Sequence, residues 1–237
     1  MESVRVQLSG KRIRANGRIV AAATANNPAF GAHYDLQTDE TGATKRFGLT
    51  VTLAERERQL AIARDEENMW LVTDHQGERR AAYNGALDID LVFSPFFNAL
   101  PIRRLGLHER AESIALPVVY VNVPEMSVDA ATVSYTSEGR LDGIKLRSPV
   151  ADTTVTVDSD GFIVDYPGLA ADSYIHLTLP TNREAVMLSD LASTLASQPT
   201  HRSVRHSVIA IRVDQLVAGL ADAAYVSTAY PTALWLE

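Results

Sequence analysis

The amino-acid sequence predicts a mainly β protein, in which a curved antiparallel sheet is accompanied by one short helical segment. Apolar and polar residues alternate over short stretches, as at Val4 and Val6, and this period of two is typical of half-buried strands. Turn signals such as Asn16-Gly17 separate these stretches at close spacing. The stretch at 96–105 breaks the alternation. A sheet of this kind must close or curl to protect its edge strands.

The predicted strands follow one another as a meander of hairpins. In the first half, turn signals at 39–42 and 65–68 each join two alternating strands. The second of these hairpins directs Trp70 toward the concave face of the sheet. In the second half, Glu138-Gly139 is a further hairpin signal. The predicted strands are 4–8, 13–20 with a hairpin or bulge at Asn16-Gly17, 30–36, 47–53, 59–63, 69–73, 87–91, 115–123, 128–135, 143–147, 153–157 and 162–166.

The segment LDIDLVFSPFFNALPIRRLGL, residues 87–107, is the most informative part of the chain. Asp88 and Asp90 share one face of its strand, because side chains alternate along a strand. Ser94-Pro95 ends the strand, since proline has no N–H for the ladder, and Ser94 could be the N-cap of a helix that starts with Pro95. Residues 96–105 are therefore either a short helix or an ordered crossover.

Two arginines close this segment, and they offer a partner for the two aspartates. Arg103 and Arg104 suit the C-terminal end of a helix, from which guanidinium groups can reach back to Asp88 or Asp90. We expect these four residues to form structural ion pairs. The alternative is a catalytic carboxylate pair, because the aspartates lie ~7 Å apart along the strand, within the range of an inverting glycosidase.

Three sequence motifs resemble those of the glycolipid-binding family of bacterial proteins. The motifs are DIDLVFSPFFNALPIRRLGL, VVYVNVPEMSVDAATVSYTSEG and VDSDGFIVDYPGL, and the resemblance covers residues 2–169. It implies an incomplete, unclosed β-barrel similar to the periplasmic carriers that localise lipoproteins, with the crossover at one opening. It also implies a glycolipid ligand. The chain departs from the family at Phe97-Asn98-Ala99, where the family has Thr-Asn-Thr.

The function that we expect from these observations is non-catalytic binding or carriage of a lipid or glycolipid. The apolar concave face would hold the tail, the crossover would act as a gate, and Asn98 with the two arginines would contact the headgroup. A glycosyl hydrolase or transferase that uses Asp88 and Asp90 is one alternative, and a structural protein-interaction domain is another. The candidate ligand-binding residues are Trp70, Phe93, Phe96, Phe97, Asn98, Leu100, Arg103, Arg104 and Tyr120.

Composition limits the other classes of function. The net charge of −7 and the interleaving of arginines with acids argue against nucleic acid. The chain has no cysteine, and its histidines lack metal-ligand spacing, so we expect neither a metal nor a cofactor. The polar start MESVRVQLSGKRIR lacks the apolar core of a secretory signal, and no later run is long enough to span a bilayer. These features predict a cytoplasmic protein. They identify no protein partner.

The end of the chain differs in character from the rest. We predict a single family-like β domain over residues 1–170 and a non-family tail, disordered or loosely helical, over 171–237. The peptide SYIHLTLPTNRE within this tail resembles translated adaptor DNA from environmental sequencing. The tail is therefore either an assembly artefact or a genuine C-terminal appendage, and it is left out of the functional argument.

Overall fold

The computed structural model describes residues 1–24, 27–167 and 203–209, and it confirms a mainly β fold with an open, curled sheet and one short helix. The strands of the first half are β1 (Glu2–Ser9), β2 (Arg12–Ala21), β3 (Phe30–Thr38), β4 (Thr44–Thr52), β5 (Glu57–Arg64), β6 (Trp70–Asp74) and β7 (Gly77–Ala81). Those that follow are β8 (Asp88–Leu91), β9 (Ala111–Val121), β10 (Val128–Glu138), β11 (Ile144–Arg147), β12 (Asp152–Val157), β13 (Ile163–Asp165) and β14 (Ser203–Ile209).

These strands form two sheets in the described part of the chain. The larger sheet has the order β14-β1-β2-β3-β4-β5-β6-β7, and the smaller has the order β13-β12-β11-β10-β9-β8. Neighbouring strands are antiparallel, except that β8 runs parallel to β9. The large sheet buries alternate residues on its inner face, as the sequence predicts. The strand β8 is different, because all four of its residues are buried.

The crossover between β8 and β9 packs into the space between the sheets. It consists of a 3-10 turn (Pro95–Asn98) and the helix α1 (Ala99–Leu105), so the alternative of a short helix is the closer description. The helix ends at Gly106, whose φ of 66° lies in the left-handed region that favours glycine. Ser94 precedes the turn, but its side chain makes no capping hydrogen bond. Ser94 thus occupies the predicted N-cap position before Pro95, but its hydroxyl group donates to the buried Glu2 instead of capping the turn.

Gly17 has a different role from the one that the sequence indicates. Asn16-Gly17 is a frequent hairpin dipeptide, yet β2 continues through both residues. Tyr34 lies opposite Gly17 on β3, and its ring occupies the space that a Cβ atom at position 17 would need. The prediction of a turn or bulge is therefore wrong here. The glycine serves the close approach of an aromatic ring to the backbone.

Gly17→Ala is expected to lower the free energy of unfolding by about 3 kcal/mol, because the added methyl group would overlap the Tyr34 ring in a packed core. The matched control is Gly48→Ala on β4, where a Cβ atom would meet nothing within 4 Å and the expected change is within about 0.5 kcal/mol. Urea unfolding of both variants tests this. Equal stabilities would contradict the role assigned to Gly17.

The strand β14 extends the free edge of β1, with Glu2 opposite Ile209 and Leu8 opposite Ser203. It belongs to the stretch that the sequence assigns to a non-family tail. Apart from these seven residues, the predicted tail lies outside the described residues, and this includes the adaptor-like peptide.

Candidate functional site

The crossover fills the interior with aromatic and aliphatic side chains. Phe97 is 1% exposed, and its ring lies 5.1 Å from that of Tyr34 and 5.5 Å from that of Phe47, measured between ring centroids. Phe96 stacks on Phe162 at 6.3 Å. Leu100 is equally buried. The predicted tail-binding residues of the crossover thus pack against the two sheets, and a ligand could reach this space only if the crossover moved.

Two other aromatic residues predicted to bind the ligand, Trp70 and Phe93, lie outside the crossover. Trp70 is fully buried, and its indole N–H donates to the carbonyl oxygen of Ala86 at 2.9 Å. Its side chain faces inward as the sequence predicts, but it has no free surface. Phe93 is partly buried and packs on Phe30 with 6.0 Å between ring centroids. Its φ of 68° is unusual for a bulky residue and marks a strained point just before the crossover.

A buried carboxyl group ties the start of the crossover to the large sheet. Glu2 is 0% exposed, and its Oε1 atom accepts hydrogen bonds from the Ser94 hydroxyl and, at 2.8 Å, from the Tyr34 hydroxyl. The Oε2 atom has no partner in the described residues. Burial raises the pKa of Glu2 to about 7, against the lowering effect of these hydrogen bonds. Sequence reasoning missed Glu2, although an acid in register with Val4 and Val6 on the apolar face was the signal.

The contribution of Glu2 to the free energy of unfolding of the wild type is expected to fall as the pH rises from about 4.5 to 8. A carboxyl group whose folded pKa exceeds its unfolded pKa binds more protons in the folded state over this window, so ionisation opposes folding. The shift from 4.5 to about 7 corresponds to roughly 3 kcal/mol as an upper bound.

Glu2→Gln should therefore be more stable than the wild type at pH 8 and similar to it at pH 4.5. Urea unfolding at both pH values measures the difference. Glu40→Gln is the control, since Glu40 is exposed and pairs only with Arg12 at the surface. A constant difference between wild type and Glu2→Gln across this range would contradict the assignment.

The two arginines of the crossover have separate partners. Arg104 forms a salt bridge of 2.5 Å with Oδ2 of Asp88, which is 1% exposed. Arg103 donates to the carbonyl oxygen of Asp160, and its guanidinium lies 4.3 Å from the centre of the Phe162 ring. The ion pair of Asp88 is therefore present, whereas Arg103 holds the turn before β13.

Asp90 is the exception among the four residues predicted to form ion pairs. It is 8% exposed, and no hydrogen bond or ion pair reaches its carboxylate from the described residues. Burial raises its pKa to about 7. The expectation that an arginine neutralises Asp90 is wrong, because Arg104 is engaged by Asp88 and Arg103 by Asp160.

Asp90 lies within a group of polar side chains that we call the Asp90 cluster, formed by Asp90, Asn98, Tyr120, Tyr135 and Tyr166. The parallel pairing of β8 and β9 places Tyr120 directly beside Asp90. The Tyr135 hydroxyl donates to Oδ1 of Asn98 at 2.9 Å. The Asp90 charge and burial together raise the pKa of all three tyrosines, with burial the larger cause.

The cluster has unused hydrogen-bonding capacity. The Tyr120 hydroxyl is buried and has no partner in the described residues. The adjacent Asp90 carboxylate, on a residue that is 8% exposed, has no hydrogen-bond partner among these residues. Buried polar groups are nearly always satisfied, so the unsatisfied hydroxyl beside this carboxylate indicates a place where a polar ligand or water binds. Asn98 and Tyr120 were among the predicted ligand-binding residues. Tyr135 and Tyr166 were not, because their proximity depends on long-range strand pairing.

The comparisons with known proteins agree with the fold. A family described as "Putative glycolipid-binding" matches residues 1–172, and the chain belongs to this family. A DUF1089 family protein of Pseudomonas aeruginosa has a similar structure, with a TM-score of 0.57 and 23% sequence identity over 70% of this chain and 89% of that one. This likeness supports the fold alone.

A second similarity is local. The phthioceranic/hydroxyphthioceranic acid synthases of Mycobacterium tuberculosis and Mycobacterium bovis are 53% identical to this chain over 51 residues. That stretch is 22% of this chain, and the chain spans only 2% of the length of these curated relatives.

The helices of the described residues are too short or too polar to span a membrane.

Proposed function

We propose that this protein binds an amphiphile with a neutral, hydroxyl-rich headgroup, such as a glycolipid, without catalysing a reaction. The headgroup would bind at the Asp90 cluster, and the apolar tail would follow the interior that the crossover now fills. The observation that carries this proposal is the buried Asp90 carboxylate, which has no partner among the described residues and lies beside the Tyr120 hydroxyl, which has none there either.

The chemistry of the cluster favours a sugar over an anionic headgroup. A carboxylate only accepts hydrogen bonds, and sugar hydroxyl groups can donate to it. Tyrosine hydroxyls donate and accept, and their rings offer apolar faces. An anionic headgroup would be repelled by Asp90, and the two arginines that could attract it have other partners. The earlier expectation of headgroup contacts from Arg103 and Arg104 thus gains no support.

Entry of an acyl tail would require the crossover to move away from the sheets. The polar link from Ser94 to Glu2 and the strained backbone of Phe93 both lie at its start, where a hinge would act. A tail of ~14 carbons gains roughly 11 kcal/mol from burial, at ~0.8 kcal/mol per methylene. Association costs ~4–15 kcal/mol, and displaced phenylalanine side chains add to this. We therefore expect modest affinity.

The hydrolase alternative has less support from the geometry. It needs two carboxyl groups that are free to act on one bond, and Arg104 neutralises Asp88. A protein-interaction domain remains the alternative outcome of the test below, since the packed interior of the crossover is compatible with it.

Calorimetric titration with two amphiphiles of equal chain length tests the proposal. Dodecyl maltoside and dodecyl phosphate, whose headgroup is anionic, are each added below their micellar concentrations. Wild type should bind the maltoside more tightly, and Asp90→Asn should lose at least tenfold in that affinity because the neutral amide loses the charge-assisted hydrogen bond that the carboxylate accepts. Glu78→Gln, which changes an exposed acid on β7 at the far edge of the large sheet, is the control and should bind normally. Equal affinity for both amphiphiles in wild type and variant, or none, would overturn it.

A further inference from the structure

The outer face of the large sheet carries a group of exposed arginines. Arg5, Arg14, Arg18 and Arg46 lie on β1, β2 and β4, and all are exposed. We call this surface the basic face. It belongs to a chain with a net charge of −7, so its positive charge is a local feature.

Strand register shows how closely these arginines lie. Arg5 is opposite Asn16, which is between Arg14 and Arg18 on β2. Arg14 and Arg46 are both opposite Gln37 on β3, one on each side of it. With ~4.8 Å between strands and ~3.4 Å per residue, the Cα atom of Arg14 lies ~10 Å from that of Arg46 and ~14 Å from that of Arg18.

These arginines also lack acidic partners among the described residues. No salt bridge involves any of them, whereas Arg12, Arg64, Arg79, Arg80, Arg104, Arg110, Arg140 and Arg147 each pair with a carboxylate. Asp35 is the acid nearest the middle of the basic face, and its Oδ1 atom accepts a hydrogen bond from the Asn16 amide. An unpaired basic surface on an acidic protein indicates an anionic partner.

We propose that the basic face docks onto an anionic lipid surface. The face leaves open space at Gly31 and Gly48, where an added Cβ atom would meet nothing within 4 Å. A groove of about 620 Å³ is lined in part by Arg5 and Arg18, and one of about 510 Å³ in part by Arg14 and Arg46, and both give room for lipid phosphate groups. The second groove also contains Asp39 and Glu40, which form salt bridges with Arg64 and Arg12. Each arginine near an anionic leaflet raises the affinity for the membrane about fivefold, which is equivalent to ~1 kcal/mol.

A membrane fits this face better than a nucleic acid does. Single-stranded nucleic acids bind on exposed aromatic side chains. Among Phe, Tyr and Trp residues, the lining of these two grooves contains only Tyr34, which is 1% exposed. Duplex recognition uses an element that enters a groove, whereas this surface is a sheet face. Val20, which is 65% exposed at the edge of the same face, adds an apolar contact suited to a bilayer interface. The inference goes beyond the proposed function and does not depend on the Asp90 cluster.

Flotation of the full chain with lipid vesicles tests this inference. Vesicles of phosphatidylcholine alone are compared with vesicles that also contain about 30% phosphatidylglycerol, an anionic lipid that gives the vesicle a negative surface potential. Wild type should float with the anionic vesicles, and binding should weaken strongly when salt rises, because charge screening shortens the range of attraction. Arg14→Glu with Arg46→Glu should lower the partition coefficient at least 25-fold.

The control is Arg110→Glu with Arg140→Glu, which changes the net charge equally on exposed arginines of the small sheet or its flanking loops. It should change binding less than threefold. Arg14→Gln with Arg46→Gln serves if the glutamate variant fails to fold, and about 25-fold loss is then expected. Asp90→Asn should float as the wild type does, which separates this inference from the proposed function.

Three results would overturn the inference. These are equal binding to neutral and anionic vesicles, equal loss in the control variant, and no vesicle binding by the wild type. Tighter binding to duplex DNA than to anionic vesicles at the same salt would assign the basic face to nucleic acid and would also overturn it.

Discussion

Arg104→Met is expected to lower the free energy of unfolding at pH 7 by about 3–5 kcal/mol. Arg104 is the partner of Asp88, whose carboxylate is 1% exposed and has an unsatisfied Oδ1 atom. Burial raises the pKa of Asp88, and the guanidinium of Arg104 opposes that rise. Removal of the guanidinium would leave a buried charge without compensation, which costs more than the pair itself contributes.

Two further variants make this expectation specific. Arg103→Met keeps the Asp88 pair and loses the contacts with Asp160 and Phe162, so we expect a smaller cost of about 1–2 kcal/mol. Asp88→Leu combined with Arg104→Met removes both charges and should recover most of the stability. Urea unfolding of the three variants measures these differences. A loss below 1 kcal/mol for Arg104→Met would contradict the buried pair.

Asp90→Asn is expected to stabilise the ligand-free protein at pH 8 while it weakens binding of the maltoside. Burial raises the pKa of Asp90 from 3.8 to about 7, so its ionisation opposes folding increasingly as the pH rises from about 4 to 7. The shift corresponds to on the order of 4 kcal/mol as an upper bound. Asparagine removes this cost, and the variant should match the wild type only near pH 4.

This combination of gained stability and lost binding is the signature of a group kept for function. Thermal or urea unfolding at pH 4 and pH 8 gives the stability, and the calorimetric titration gives the affinity. Glu78→Gln should change neither, since Glu78 is exposed on the edge strand β7. If Asp90→Asn destabilised the protein at pH 8, the carboxylate would have a structural partner and the proposed site would be wrong.

Much of the fold could be predicted because it depends on local patterns. The alternation of Val4 and Val6, the hairpin turns and the Ser94-Pro95 break all indicated the observed elements. The parallel pairing of β8 with β9 could not be predicted, because it joins residues 30 positions apart through the crossover. Gly17 shows a second limit, since its role depends on an aromatic ring from the neighbouring strand.

The candidate site was only partly predictable for the same physical reason. The charges of Asp88 and Asp90 pointed to arginine partners, and the structure gives one to Asp88 alone. Arg103 and Arg104 are adjacent in sequence, but neighbouring helical side chains point about 100° apart and so meet different partners. The Asp90 cluster gathers residues from β8, the crossover, β9, β10 and the end of the family region.

The central claim is that a neutral glycolipid binds through Asp90, and native mass spectrometry of the full chain tests it most directly. The protein would be purified from a bacterial host in wild-type and Asp90→Asn forms, with organic extraction of any released molecule. We predict a co-purifying neutral glycolipid in the wild type and a ligand-free mass for the variant. A ligand-free wild type whose mass stays unchanged after incubation with a bacterial lipid extract would contradict the account.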